Sequence, residues 1–174
     1  VTLRLNTPVT PELVTTEAPD RLILATGACP RLPAIDTEGA HVLDAWAVLR
    51  GEGNPGGRVV IADWRGDWIG MGLAEKLARD GCSVRLYVEG IAPGESLPFY
   101  VRDEMAARLH RLGVEVRAYA RLFGADGDSV YFTHSASGDA IVADEVDTLV
   151  LAQGHDSNRD LARALAGWGG RMDV

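Results

Sequence analysis

The sequence predicts an α/β protein: a parallel sheet with helices on both faces and an antiparallel meander inserted before the last parallel strand. Three observations predict it. RVVIAD at Arg58–Asp63 is continuously apolar, as in a parallel strand covered on both faces. Two more strand-like runs follow, separated by segments of helical periodicity, and crossovers of that length make the strands parallel. Three short runs come next, divided by ADGD and ASGD, whose Asp and Gly suit hairpin turns.

Alternation in Val1–Leu5 predicts a first strand, and TPEL at Thr10–Leu13 starts a short helix with Thr10 as cap and Pro11 in the first turn. RLILAT at Arg21–Thr26 is a strand that ends at Gly27. Pro and Gly make residues 28–40 a loop, after which Asp44 caps a helix over Ala45–Arg50. GEGNPGG at Gly51–Gly57 is the predicted linker and domain boundary. After the strand at Arg58–Asp63, Ile69, Leu73, Ala74, Leu77 and Ala78 give helical spacing up to Asp80, with Gly81 as the stop. SVRLYVE at Ser83–Glu89 is the second parallel strand. Val101, Met105, Leu109 and Leu112 line a second helix, with Ser96 as its cap and Gly113 at its end, and Val114–Ala120 is the third strand. The meander is expected at Arg121–Phe123, Ser129–Thr133 and Ala140–Ala143, the last parallel strand at Asp147–Gln153, and a closing helix at Arg159–Ala166. The unit is Rossmann-like.

A chain of 174 residues can bury about 70% of its unfolded surface in one core, and 47% hydrophobic against 24% charged residues excludes disorder and a disulfide scaffold. The formal charge of -8, with no basic cluster, argues against nucleic acid. Cys29 and Cys82 have neither redox nor metal-ligand spacing, which fits buried thiols in a reducing compartment. No apolar run approaches the roughly 20 residues of a membrane span and no signal pattern opens the chain, so a cytoplasmic protein is expected. An opening at Val1 in a strand-like run, and a stop at Val174 without a tail, read as part of something larger.

In a dinucleotide fold the turn from the first strand into its helix carries GxGxxG, because glycines let backbone amides approach the pyrophosphate at the helix N-terminus. Here that passage reads ADWRGDWIGMGLAEKLA. With Gly70 as the third glycine, Arg65 and Asp67 hold the first two positions; counted from the strand, Asp63 and Arg65 do. A carboxylate about 5 Å from a pyrophosphate charge costs about 3 kcal/mol at an effective dielectric near 20, a factor of about 150 in affinity. Arg65 can offset part of this by pairing with a phosphate; the plainer reading makes Arg65 and Asp67 solvated loop residues and lets Trp64 and Trp68 cover the sheet end. The candidate positions in the passage are Arg65, Gly66, Gly70 and Gly72.

Glu89 ends the second parallel strand, where a carboxylate binds ribose hydroxyls and repels a 2′-phosphate, or is merely solvated. Thr26–Gly27 and Gln153–Gly154 end two strands in glycine, admitting either a cofactor or a turn. His41, His110, His134 and His155 are scattered, and neither His134-Ser135 nor His155-Asp156-Ser157 comes with a nucleophile elbow, so no catalytic residue and no metal site is expected.

ATGACPRLP at Ala25–Pro33 and LVLAQGHDSN at Leu149–Asn158 resemble the paired segments of two-dinucleotide-domain flavoproteins, and GLAEKLARDGCSVRL at Gly72–Leu86 resembles the pyridine-nucleotide-type domain of trimethylamine dehydrogenase. The related 2,4-dienoyl-CoA reductases share the outline less closely. The resemblance implies a parent enzyme whose N-terminal barrel carries FMN and a 4Fe-4S cluster, with FAD or ADP in the nucleotide region and an electron-transfer flavoprotein as partner. It implies the division 1–50 as part of an FAD-type domain, 51–57 as linker, 58–154 as the NAD(P)-type domain and 155–174 as the return to the FAD-type domain. The FAD-type phosphate loop would precede Val1 and a second FAD-contacting segment would follow Val174. On this reading the chain is not catalytic alone, holds no cofactor tightly, and binds NADH weakly at best; Gln153 departs from the threonine usual there. The alternatives are a working NADH-binding domain of a dienoyl-CoA-reductase-like enzyme and a stand-alone interaction module.

Overall fold

The computed structural model describes residues 1–173 and shows two compact units, one of Val1–Cys29 with the segment from His155 onward, the other of Pro30–Gly154. The first unit contains α1 (Pro11–Glu17), β1 (Arg21–Ile23) and most of β2 (Ala28–Pro30). The second contains β3 (Val42–Asp44), α2 (Ala45–Arg50), β4 (Arg58–Asp63), α3 (Trp68–Arg79), β5 (Ser83–Val88) and α4 (Phe99–Arg111). It continues through β6 (Glu115–Arg117), β7 (Ala120–Asp126), β8 (Ser129–His134), β9 (Ala140–Ala143) and β10 (Thr148–Ala152). The chain then returns to the first unit with β11 (His155–Ser157), α5 (Asp160–Ala164) and β12 (Arg171–Asp173).

In the first unit Thr10 caps α1 by accepting the Leu13 amide at 3.3 Å, as its side chain predicts. β1 pairs in parallel with β12, a strand the sequence reading missed, and Arg21 closes the pair on Asp173 at 2.6 Å. The expected strand at Val1–Leu5 is irregular chain: Leu3 and Leu5 stay exposed, and alternation without a partner strand forms no ladder. The expected loop at 28–40 begins instead with β2, which pairs with β11.

The second unit is a five-stranded parallel sheet in the order β3-β10-β4-β5-β6. β10, β4 and β5 are its interior strands, and every residue of β10 and all but the first of β4 are buried. Alternate residues of these strands feed two cores. Val59, Ile61 and Val150 meet Val48 of α2, Leu73 and Leu77 of α3 and Leu109 of α4. Val60, Leu149 and Leu151 meet Val130 and Phe132 of the antiparallel sheet β7-β8-β9, where Phe132 stacks on Tyr87 at 4.3 Å. The α/β class, the parallel sheet and the meander are as expected. Helices do not cover both faces, however. Successive right-handed crossovers stepping in one direction put α3 and α4 on the same face, and the meander covers the other.

Gly51–Gly57, the expected linker, is a loop inside the second unit, because β3 joins the sheet beyond it and α2 packs into that sheet's core. Its end is fastened where the Gly56 amide donates to Thr148 Oγ1 at 3.0 Å, beside His41 Nδ1 at 3.0 Å from the same hydroxyl. Ser96 does not cap α4; Pro98 occupies the cap position without a side-chain bond, and Ser96 turns to the loop after β4. Among the described residues no helix is long and apolar enough to cross a membrane.

Candidate functional site

In a sheet of this order the crevice lies at the carboxyl ends of β4 and β10, where the chain's path away from β4 reverses. Two turns border it, residues 64–67 after β4 and Gln153–Gly154 after β10. The segment Gly90–Leu97, after β5, folds back onto the first: the Ser96 amide and hydroxyl both donate to the Gly66 carbonyl, at 3.0 and 2.8 Å.

β4 ends in Asp63, which is only 2% exposed. Its Oδ1 accepts the Gly66 amide at 3.0 Å, while Oδ2 is buried with no partner. Burial pushes this carboxyl up to about 7; the Gly66 hydrogen bond opposes the rise, and the negative charges of Asp67 and Glu95 add to it. Gly70 packs directly on it, and a Cβ there would overlap the Asp63 carboxyl. Gly70 therefore serves the close helix-on-strand approach expected of a third glycine, but against a carboxyl group. Gly72 does not share that constraint, since nothing lies within 4 Å of where its Cβ would be. Gly70→Ala is expected to cost about 1–3 kcal/mol by overpacking, whereas Gly72→Ala should gain about 0.5–1 kcal/mol through helix propensity. Urea denaturation of both variants checks the contrast, and equal effects would refute it.

Gly66 turns the loop at φ +58°, with Glu95 Cγ 2.9 Å from where its Cβ would stand. Asp67 caps α3: its Oδ1 accepts the Ile69 amide at 2.9 Å, and Oδ2 lies 3.5 Å from Arg65 Nε. The backbone donor that a phosphate would use at this helix end is thus taken by the chain's own carboxylate. Arg65 runs across Gly154, with its Cδ 2.9 Å from the position a Cβ would take. The Gly154 carbonyl accepts the Arg31 amide at 3.0 Å, and the Arg31 guanidinium lies 4.5 Å from the Trp64 ring centre. Gln153 Nε2 donates to the Ala62 carbonyl at 2.9 Å, bridging β10 to β4. Glu95 Oε2 accepts the Ile91 amide at 2.9 Å and leaves no room for a side chain at Gly90.

Arg65, Gly66, Gly70 and Gly154 thus come together around one crevice. Glu89 follows β5, half-buried; its amide donates to the Asp63 carbonyl at 3.0 Å and its carbonyl accepts the Ser135 hydroxyl at 3.0 Å. Thr26 and Gly27 belong to the first unit. There Thr26 Oγ1 donates to the Asn158 carbonyl at 2.6 Å and the Gly27 carbonyl accepts the Asn158 amide at 2.9 Å, beside a cavity of about 590 Å³ lined by Val9, Pro11, Asp160 and Leu161. Sequence reasoning missed Glu95, Arg31 and the buried state of Asp63. Asp63 alone carried a signal, an acidic residue closing an otherwise apolar strand.

His134 meets Ser137 rather than Ser135, with Nδ1 3.1 Å from the Ser137 hydroxyl, which donates to Asp139 at 2.7 Å. The carboxylate thus takes the serine proton, and His134 Nδ1 accepts the Ser137 amide at 3.1 Å instead of the hydroxyl proton, the reverse of a hydrolytic triad. Both cysteines are free, and among the described residues no group of His, Cys, Asp and Glu could hold a metal ion.

A pyrophosphate does not fit this crevice as the chain folds it: the helix N-terminus is capped by a carboxylate, and a second carboxylate stands beside the turn. The fold nevertheless defines a class, the nucleotide-binding region of flavoprotein oxidoreductases. The chain belongs to the pyridine nucleotide-disulphide oxidoreductase family, whose model matches residues 4–171. It is 33% identical over 161 residues to a bilirubin reductase of Mediterraneibacter gnavus, a match covering 91% of this chain and 24% of that protein. It is 35% identical over 86 residues to a probable N-methylproline demethylase of Rhizobium meliloti, covering 49% of this chain and 13% of that one. A 2-naphthoyl-CoA reductase structure superposes with a TM-score of 0.81 at 26% identity, over 99% of this chain and 26% of the other. A histamine dehydrogenase from Rhizobium sp. 4-9 shares the fold at a TM-score of 0.83 and 18% identity, over 93% of this chain and 27% of its own. The chain spans about a quarter or less of the length of the curated relatives it matches.

Proposed function

We propose that the chain is the nucleotide-fold module of a flavin-dependent oxidoreductase of the trimethylamine dehydrogenase kind, not catalytic alone, with an NAD-type crevice filled by its own side chains. The observation that carries this reading is the Asp67 carboxylate on the N-terminus of α3. In the parent enzyme, FMN and a 4Fe-4S cluster on a barrel of the same polypeptide supply the redox chemistry, FAD or ADP belongs to the nucleotide region, and an electron-transfer flavoprotein is the outlet. Within this chain the residues contribute structure: Asp67 and Arg65 cap and cover the crevice, Asp63 anchors its loop, and Glu89 disfavours a 2′-phosphate.

The test is made on the 174-residue chain. Calorimetry is expected to give an NADH dissociation constant of about 0.1 mM or weaker, from the charge repulsion of about 3 kcal/mol acting on a micromolar site. The purified protein should be colourless and should not turn over amines or enoyl thioesters. Micromolar NADH binding would overturn the filled-crevice reading and favour a second one, a working NADH domain of a dienoyl-CoA-reductase-like enzyme. That reading draws support from the 26% identity to the 2-naphthoyl-CoA reductase.

A further inference from the structure

Asp63 is the one buried acidic side chain among the described residues, and nothing in the proposed function uses its protonation. One oxygen holds the Gly66 amide, and the other faces the backbone of Gly70 without a partner. The charged groups around it come from three elements. Arg65 belongs to the loop and reaches Asp67, which begins α3; Glu95 approaches from the segment after β5, and Glu89, at the end of β5, meets it through the backbone. Three of these four are anions, and the single cation lies across Gly154.

We propose that Asp63 is a proton-operated latch beneath the 65–67 loop, holding the loop closed over the crevice when protonated and releasing it when ionised. With the proton on, the carboxyl is neutral, accepts from Gly66, and sits in the closed packing without a net charge. Loss of that proton to solvent leaves a buried carboxylate beside Asp67 and Glu95. Water cannot reach it while Gly70 covers Oδ2, and Arg65 cannot reach it while lying on Gly154. The Gly66 amide bonds the ionised form more strongly, so relief has to come at Oδ2: Arg65 or water reaches it only when Arg65 leaves Gly154, and that movement of the loop uncovers the crevice. Rising pH thus opens the site. This rests on the reading of the crevice as filled by the chain's own side chains, but it is tested without any nucleotide, so its failure and a failure of the NADH prediction are separable.

The experiment is NMR of the 174-residue chain between pH 4 and 9, following the Asp63 carboxyl carbon, the Gly66 amide and the indole N–H signals of Trp64 and Trp68. The expected result is one transition with a midpoint near 7 shared by all four signals. An Asp63 midpoint near 4, or a midpoint near 7 that leaves Gly66 and the two indoles unmoved, would overturn the latch. Asp63→Asn should abolish the loop transition. If that variant does not fold, Glu95→Gln serves: removing a neighbouring anion should lower the shared midpoint, and an unchanged midpoint counts against the proposal.

Discussion

Asp63→Asn is expected to remove a fall in stability of about 4 kcal/mol between pH 4 and pH 8. The wild-type carboxyl has its ordinary value of 3.8 in the unfolded chain and is pushed up to about 7 in the folded one, first by burial. A folded-state value above the unfolded one means that the native protein holds its proton more tightly. The stabilisation is complete below about pH 4 and is lost progressively until pH passes about 7, with no further change above it. A displacement of that size corresponds to about 4 kcal/mol. The variant keeps the acceptor for the Gly66 amide but brings an amide whose N–H groups have no partner near Gly70, a cost of about 1–3 kcal/mol. It should therefore be less stable than wild type at pH 4 and more stable at pH 8. Exposed groups such as Asp147, whose carboxyl the Arg58 side chain holds below its usual range, titrate alike in both proteins and cancel in the difference. Urea denaturation at four or five pH values measures it, and parallel curves would show that Asp63 is ionised or solvated in the native state.

Asp67→Gly is expected to tighten NADH binding by about 100-fold, from about 0.1 mM towards the micromolar range, while NADPH is expected to stay weak on the proposed role of Glu89 in repelling a 2′-phosphate. The substitution removes the carboxylate from the N-terminus of α3 and frees the Ile69 amide for a phosphate oxygen. It also removes a helix cap, for which Gly is a near-equivalent, so only a few tenths of a kcal/mol of stability should be lost. Asp67→Asn separates the two ways in which Asp67 excludes the cofactor: it keeps the cap and loses the charge. If charge dominates, most of the gain appears already in the Asn variant. Calorimetry with NADH and NADPH decides it; no gain in either variant would mean that Arg65 across Gly154 and Glu95 beside Gly66 exclude the ligand by occupying its space.

The second unit was largely legible in the sequence because its signals are local and strong. β4 spans the same residues in sequence and structure, since an uninterrupted apolar run has no other way to be buried on both sides. α3 follows from its apolar spacing and the hairpins from their Asp-Gly turns. The misses share a cause. β2, β11 and β12 are three-residue strands that exist only because another short segment lies alongside, and Val1–Leu5 shows the reverse case, an alternating pattern that found no partner. Likewise, the side-chain bond that captures Ser96 is to Gly66, thirty residues away, and it outcompetes the helix cap that local spacing predicted.

The candidate site divides along the same line. The sequence by itself determined that the first glycines of a phosphate loop are replaced, by Arg65 and Asp67 ahead of Gly70 or, counted from the strand, by Asp63 and Arg65, because those facts concern residue type and spacing. What only the tertiary structure decided is where the charges went. Asp67 turned inward to cap its own helix, Arg65 lay down on Gly154 from a different strand end, and Glu95 closed in from the next crossover. The physical reason is that a carboxylate's effect depends on burial and on neighbours within a few ångströms, and those neighbours come from strands far apart in the chain. Asp63 is the clearest instance: in sequence it is an acidic residue ending a strand, and in the fold it becomes a buried acid pressed against Gly70, with its proton held to about pH 7.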